Sequence, residues 1–251
     1  MKKHLSLLPL IALSLLLTGC GGIFHFGTTG KTIRASNTLV SETREASGFT
    51  AVDMRAAGRV VLSQGEVESL AVRGPDNIVP LVRTSVQDGV LVIEMETDVI
   101  VTSLDAFNDL TFTIGVKDLK AFTISGAADV RMDGLAAPRL EMELSGAGKI
   151  DLAGLSVENL TLTLSGAADV ELSGEAASAA ILLSGVGNID ATGLEAQTAD
   201  IHLSGLGNAR LWVTEKLTGS ISGAGNVEYY GDPATDLDAS GLGVFKSLGD
   251  K

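Results

Sequence analysis

Residue types that carry most enzyme and metal chemistry are scarce in this chain. Its 251 residues include one cysteine, one tryptophan and three histidines, and aromatic residues make up 4%. A single cysteine cannot form an internal disulfide bond. Only His202 lies in a periodic region, and one histidine cannot build a zinc site. The composition therefore predicts neither a metal centre nor a cofactor.

Positive charge is also scarce. The chain has 18 lysine and arginine residues against 31 aspartate and glutamate residues, a formal net charge of −13. Nucleic-acid binding requires a basic patch, so we expect no nucleic-acid partner. The acidity also disfavours anionic glycans unless a cation bridges them to the protein, and it fits the solubility of a secreted protein.

The apolar run at the N-terminus is too short to cross a bilayer. It occupies residues 5–17 and follows two lysines, which is the arrangement of a secretory signal. The segment Leu17-Thr18-Gly19-Cys20 then resembles a bacterial lipobox. This resemblance implies a lipoprotein signal peptide at 1–19, a lipid on the sulfur of Cys20 and acylation of its amine. A plain secretory peptide with an incidental cysteine is the alternative.

Such an anchor would make the membrane a partner and place the protein in the bacterial cell envelope. Glycine rather than aspartate follows Cys20, which by the same resemblance points to the outer membrane. Residues 20–47 are rich in Gly, Thr and Ser and lack periodicity. We interpret them as a lipid-anchored flexible tether.

A block that opens in Ser-Gly recurs about every twenty residues, and this spacing is typical of stacked repeat proteins. A second glycine column follows each block, and Val213 interrupts it. Because glycine reaches positive φ without steric cost, we interpret both columns as corners. The blocks start at Ser125, Ser145, Ser165, Ser184, Ser204, Ser222 and Ser240.

Strict alternation of apolar and polar residues precedes each Ser-Gly corner. Leu160, Leu162 and Leu164 alternate with Thr161 and Thr163 before Ser165, a pattern of half-buried strands. A single repeat buries too little apolar surface to fold alone, whereas stacked repeats cover each other. The sequence therefore predicts an all-β, single-stranded parallel β-helix with coils of about 20 residues. Leucine-rich repeats and the calcium-binding nonapeptide roll do not fit this pattern.

Strands without the Ser-Gly corner precede the regular repeats. We predict one β-helix domain at 48–251, with irregular first coils at 48–115 and regular repeats at 116–251. The irregular coils are expected to close one end of the rod, since an open strand edge recruits other chains.

The chain resembles a known family at this point. Phe49-Thr50-Ala51-Val52-Asp53, Val60-Val61-Leu62-Ser63-Gln64-Gly65 and the later Gly187-Asn188-Ile189 are similar to the auto-transporter adhesin head GIN domain family. The resemblance covers about residues 45 to 245. It implies a β-helix carried on bacterial envelope proteins, and it transfers no catalytic residue.

A polar column lies four positions after each Ser and contains Asn188, Asn208 and Asn226. Stacked amides can form a hydrogen-bonded ladder, so we predict a structural ladder here, with a polar ligand groove as the alternative.

Two clusters of polar side chains are candidate catalytic or cation-binding sites, and neither fits a catalytic arrangement. Asp200, His202 and Ser204 lie two apart on one strand face, about 6.6 Å between successive Cα atoms, which is too far for a catalytic triad. Glu141 and Glu143 share an outward face and could form at most a weak cation site.

Trp212 and Tyr230 occupy the same column on consecutive coils and are predicted to face outward. Two rings about 4.8 Å apart could form a flat platform for a sugar or an apolar partner, with Arg210 and Glu228 beside them. The alternative is a surface covered by the C-terminal segment.

These observations predict a non-enzymatic envelope lipoprotein. Its rigid acidic β-helix would act as a binding, adhesin-like or structural module, with a glycan or an envelope protein as partner. The alternative function is a carbohydrate-binding or polysaccharide-active protein on the same scaffold. Oligomeric state is not readable from the sequence.

Overall fold

The computed structural model describes residues 31–102 and 109–251. These residues fold almost entirely as β-strands that stack in parallel coils, so the predicted β-solenoid is confirmed. The strands before the regular repeats are β1 (Lys31–Ile33), β2 (Leu39–Arg44), β3 (Ala51–Met54), β4 (Gly58–Gln64), β5 (Ser69–Pro75), β6 (Val82–Gln87), β7 (Val90–Met95), β8 (Val99–Val101), β9 (Thr111–Val116) and β10 (Ala121–Ile124). A short 3₁₀ helix at Val79–Leu81 joins β5 to β6.

Five long strands form the regular part of the solenoid, and each follows almost one full coil. They are β11 (Ala128–Leu144), β12 (Ala147–Leu164), β13 (Ala167–Leu183), β14 (Val186–Leu203) and β15 (Leu206–Ile221). Each pairs in parallel with the next. Three shorter strands complete the last coils, namely β16 (Val227–Tyr230), β17 (Ala234–Ala239) and β18 (Phe245–Ser247).

The hydrophobic core runs along the inside of the coils. Leu162 is 0% exposed and lies between Met142 and Ile181 in the parallel register. Thr163, the next residue, is only half-buried and is on the outer face. Period-two alternation therefore divides each strand into an inner apolar row and an outer polar row, as the sequence predicts.

The Ser-Gly corner requires glycine because successive coils approach closely there. A Cβ on Gly166 would overlap the carbonyl oxygen of Gly146 in the coil below. The same overlap would arise at Gly185, which lies above Gly166. The glycine of the Ser-Gly pair is thus explained by space between backbones, in addition to backbone conformation.

Antiparallel strands close the N-terminal end, which the prediction of purely parallel coils did not include. Strands β3 and β4 form a coil that pairs in parallel with β10 and β11. Beyond this coil, β5 pairs antiparallel with β2 and β9, and β6 pairs antiparallel with β7. Reversal of strand direction lets short hairpin-like connections end the stack.

The ordered domain starts before residue 48, the boundary predicted from the sequence. Strand β2 lies inside the predicted tether, and it is held by its backbone pairing with β5. The guanidinium of Arg44 adds hydrogen bonds to the carbonyl oxygens of Val79 (2.9 Å) and Val82 (2.5 Å). Because β2 is mostly exposed, it has no apolar period that sequence analysis could detect.

A shortened corner interrupts the fifth repeat. In the register between β14 and β15, Leu211 pairs with Ala191, but Trp212 already pairs with Glu195. Val213 therefore pairs with Ala196 and is fully buried. The alignment of Val213 with Gly193 is wrong, because β15 lacks residues opposite the corner at 192–194, whereas Val213 does lie against Gly231 of the next coil, as the glycine column predicts.

Candidate functional site

Outward side chains of the last coils stack in two adjacent columns. Arg210 of β15 pairs with Glu228 of β16, which pairs with Lys246 of β18. Trp212 pairs with Tyr230 in the same ladder. The alternate residues Ala209, Leu211 and Val227 are buried, which turns these side chains to the outside. The predicted candidates thus lie together on one face.

An ion-pair ladder joins the charged column. Nε of Arg210 lies 3.3 Å from Oε2 of Glu228, and Nζ of Lys246 lies 3.1 Å from Oε1 of Glu228. The hydrogen bond donated by Lys246 is the main cause that lowers the pKa of Glu228, and the charges of Lys246 and Arg210 lower it further. This carboxylate therefore remains ionised at neutral pH.

The aromatic pair is only half-exposed. Trp212 and Tyr230 are both partly buried, and Nζ of Lys251 lies 4.2 Å from the centroid of the Trp212 ring. The same ammonium group donates a hydrogen bond to the carbonyl oxygen of Thr192. The C-terminal segment thus covers part of the platform, and a cation occupies one face of the indole ring.

A groove of about 500 Å³ opens beside this pair. We call it the C-terminal groove, and it is lined by Thr192, Arg210, Glu228, Tyr230, Lys246, Leu248 and Lys251. A second depression of about 360 Å³ shares Arg210 and Glu228 and continues over the asparagine column. Together they form a polar surface that crosses several coils.

The asparagine column forms a hydrogen-bonded ladder. The backbone N–H and the side-chain amide of Asn208 donate to Oδ1 of Asn188, each over 3.3 Å. Asn226 donates in the same way to Oδ1 of Asn208, over 3.1 and 3.5 Å. The ladder extends downward through Asp169, whose Oδ1 accepts from both nitrogens of Asn188. These side chains stabilise the stack and form the floor of the second depression.

The histidine on the other outer face contacts a serine that sequence analysis did not select. Nδ1 of His202 lies 2.8 Å from Oγ of Ser220, and Nε2 lies 3.4 Å from Oδ2 of Asp200. Ser220 comes from the next coil and pairs with His202, so stacking register is the signal that could have found it. The His202 and Asp200 side chains are 53% and 50% exposed, and the backbone of Ser220 is paired on both sides.

Glu141 and Glu143 stand beside Thr161 and Thr163 of the next coil. Over residues 31–102 and 109–251, no group of three or more His, Cys, Asp or Glu side chains could hold a metal ion. In the same residues, no helix has the length and apolar character needed to cross a membrane. Cys20, the predicted lipid attachment site, lies outside the described residues.

These features define a capped parallel β-solenoid with a polar and aromatic groove on its last coils. Residues 48–233 match the family described as "Putative auto-transporter adhesin, head GIN domain". The chain belongs to this family, as the sequence resemblance predicted. A comparison with curated proteins found no match.

Solved structures share the fold. One, described as a putative adhesin from Bacteroides fragilis NCTC 9343, is 29% identical with a TM-score of 0.83; the match covers 86% of this chain and 100% of that one. A protein of Parabacteroides distasonis ATCC 8503, described as a putative lipid binding protein, has 19% identity and a TM-score of 0.70, with 87% and 100% coverage. A putative adhesin from Parabacteroides merdae ATCC 43184 has 20% identity and a TM-score of 0.67, with 86% and 99% coverage.

Proposed function

We propose that this protein is a non-enzymatic, lipid-anchored binding module of the bacterial cell envelope. Cys20 would carry the lipid, and the segment that follows would hold the solenoid away from the outer membrane. The family description and the adhesin description of the Bacteroides fragilis relative support an adhesin-like role. A rigid stack of coils suits this role because it presents a fixed surface at a distance from the anchor.

The observation that carries the proposal is the C-terminal groove. It combines fixed charges, an aromatic ring and the adjacent asparagine ladder on one outer face. Binding sites commonly combine flat apolar surface with a few positioned polar groups. Sugars present both apolar ring faces and hydroxyl groups, so we propose a glycan of an envelope or a cell surface as the ligand. An envelope protein is the alternative partner.

Catalysis by the groove is disfavoured by its own electrostatics. A general acid must carry a proton near neutral pH, whereas the pKa of Glu228 is lowered by the ammonium of Lys246 and the guanidinium of Arg210. Glu228 is also the one carboxylate side chain among the lining residues. Glycoside hydrolysis uses a pair of carboxyl groups, so we propose binding without cleavage.

A glycan array tests the binding proposal. Labelled protein should bind a subset of glycans, and a variant with Trp212→Ala and Tyr230→Ala should lose that binding. Glu158→Ala serves as the control, because Glu158 lines a different groove that extends over strands β11 to β14. Equal binding by the double variant would remove the C-terminal groove as the contact surface. Chromatography of a bound glycan after long incubation should show intact chains, and shorter products would overturn the non-enzymatic assignment.

A further inference from the structure

Charge is distributed unevenly along this acidic chain. Residues 150–209 contain eight aspartate and glutamate residues and no lysine or arginine. Four basic residues follow in the rest of the chain. Three of these four, Arg210, Lys246 and Lys251, line the C-terminal groove, and Lys216 is the exception. The few late cations therefore converge on one site.

Glu228 fixes two of the cations without neutralising the groove. Its side chain is 25% exposed, and each of its oxygens accepts from a different cation. The side chains of Arg210 and Lys246 remain 58% and 60% exposed. With Lys251, the side chains that line the groove comprise three cations and one anion. Fixed cations with exposed donors are suited to an anionic ligand, because little side-chain order is lost on binding.

A carboxylate of the coil below has its own partners. Asp190 lies beside Arg210 in the register. Its Oδ1 accepts from the backbone N–H of Thr192 over 3.0 Å and from the hydroxyl of Thr192 over 2.7 Å. Another groove of similar size contrasts in charge, since it is lined by Glu158, Glu175 and Glu195 and by no cation. Of these two grooves, an anionic ligand would prefer the C-terminal groove.

Aromatic surface borders the cations. Tyr230 lines the groove, and Trp212 stands next to it with Lys251 against its ring. A sugar ring can stack on such a surface while an attached anionic group meets the guanidinium fork of Arg210. We propose that the C-terminal groove binds a glycan that carries carboxylate or sulfate groups. This inference rests on the proposed function of the groove as the contact surface.

The fluorescence of Trp212, the single tryptophan, provides the measurement. The purified protein is titrated with a polyuronate oligosaccharide, dextran sulfate, neutral dextran and vesicles rich in phosphatidylglycerol. The two anionic glycans should change the emission with an affinity about tenfold or more above that of neutral dextran. Added salt should weaken this binding, since exposed charges are screened. A difference between the two anionic glycans tells carboxylate from sulfate recognition.

Two charge variants should change the affinity for anionic glycans in opposite directions. Lys246→Met should weaken the binding of anionic glycans about tenfold, whereas Glu228→Gln should strengthen it, because the amide removes the one negative side chain of the groove and its oxygen still accepts a hydrogen bond. Lys216→Met is the matched control because Lys216 lies outside the groove, and it should have no effect. Circular dichroism melts confirm that each variant is folded before it is compared.

The outcomes separate the two proposals. If neutral dextran binds as tightly as the anionic glycans and Tyr230→Ala, which keeps the tryptophan, weakens the binding of both, the groove is a contact surface but the anionic class is wrong. If no glycan binds and the array is also negative, both proposals fail. If only the anionic vesicles change the emission, a lipid surface replaces the glycan as ligand and overturns this inference.

Discussion

Nζ of Lys251 lies 4.2 Å from the centroid of the Trp212 ring. This contact brings the C-terminal segment onto the aromatic platform and adds a third cation to the surroundings of the single tryptophan. The emission of this protein therefore reports on one site.

Ionic quenchers should distinguish the charge around Trp212. Iodide should quench its emission several-fold more effectively than caesium, because Lys251 stands on the ring and Lys246 and Arg210 line the adjacent groove. Lys251→Met should lower the ratio of iodide quenching to caesium quenching, and Lys216→Met should leave this ratio unchanged. Stronger quenching by caesium would show that the acidic charge of the whole chain dominates at this position.

Substitution of a Ser-Gly glycine should disrupt the stack. Gly166→Ala should destabilise the fold by about 3 kcal/mol or more, since its Cβ would overlap backbone atoms of Ser145 and Gly146. At Gly65 a Cβ would meet nothing within 4 Å, so Gly65→Ala should lie within about 1 kcal/mol of the parent protein. Urea unfolding curves give both values. Similar losses at the two positions would contradict the close-approach explanation.

Two neighbouring positions on one strand should differ sharply in how much a polar substitution destabilises the protein. Leu162→Asn should lower the free energy of unfolding by several kcal/mol, because Leu162 is 0% exposed and the amide would find no partner in the apolar row. Thr163→Asn should cost less than about 1 kcal/mol, since this residue is on the outer face. Thermal melts of both variants decide the matter. Equal losses would refute the assignment of inner and outer rows.

The charged column should give a defined pH dependence. The pKa of Glu228 is lowered from its ordinary value of 4.5, chiefly by the hydrogen bond from Lys246. Its contribution to stability is therefore complete above that ordinary value and is lost as the pH falls through the lower pKa of the folded state. Lys246→Met should raise the pKa of Glu228 in a carbon-13 NMR titration of the carboxyl group. Lys216→Met should not change it, and an equal rise in both variants would point to the overall charge as the cause.

The lipid anchor is tested in cells. The parent protein should fractionate with membranes, and Cys20→Ser should release it or leave an uncleaved precursor. Mass spectrometry of the mature N-terminus should find acyl chains on Cys20. Membrane association of the Cys20→Ser variant at the parent level, with a cleaved signal, would exclude lipidation as the anchor.

Much of the fold and part of the candidate site could be predicted, because in a solenoid residues that lie one repeat apart in the sequence lie next to each other in adjacent coils. Residues one period apart become ladder partners, so a shared column was enough to bring Trp212 beside Tyr230 and Asn188 beside Asn208. The same rule explains the charged column, whose ion pairs join Arg210 and Glu228. Positions in the columns depend only on local alternation and repeat length.

Other contacts depend on where the period changes or ends. The buried position of Val213 follows from a shortened corner, whose length leaves no mark in the apolar alternation. Lys251 reaches Trp212 because the last coil returns across the face, and the sequence distance of 39 residues matches no single repeat. His202 and Ser220 are partners in the repeat register. The sequence pattern instead suggested Ser204, which is only two residues from His202 along the chain.

The sequence by itself determined the coil, the inner and outer rows and the need for glycine at the corners, since these follow from local alternation and from the steric limits of stacked backbones. Only the tertiary structure decided how the stack ends and which segment covers the aromatic pair. Strand β2 is retained by backbone pairing and Arg44, and Lys251 lies against the Trp212 ring although the two residues share no column. Backbone pairing at an edge and a contact between different columns require no hydrophobic period, so neither produces a pattern along the chain.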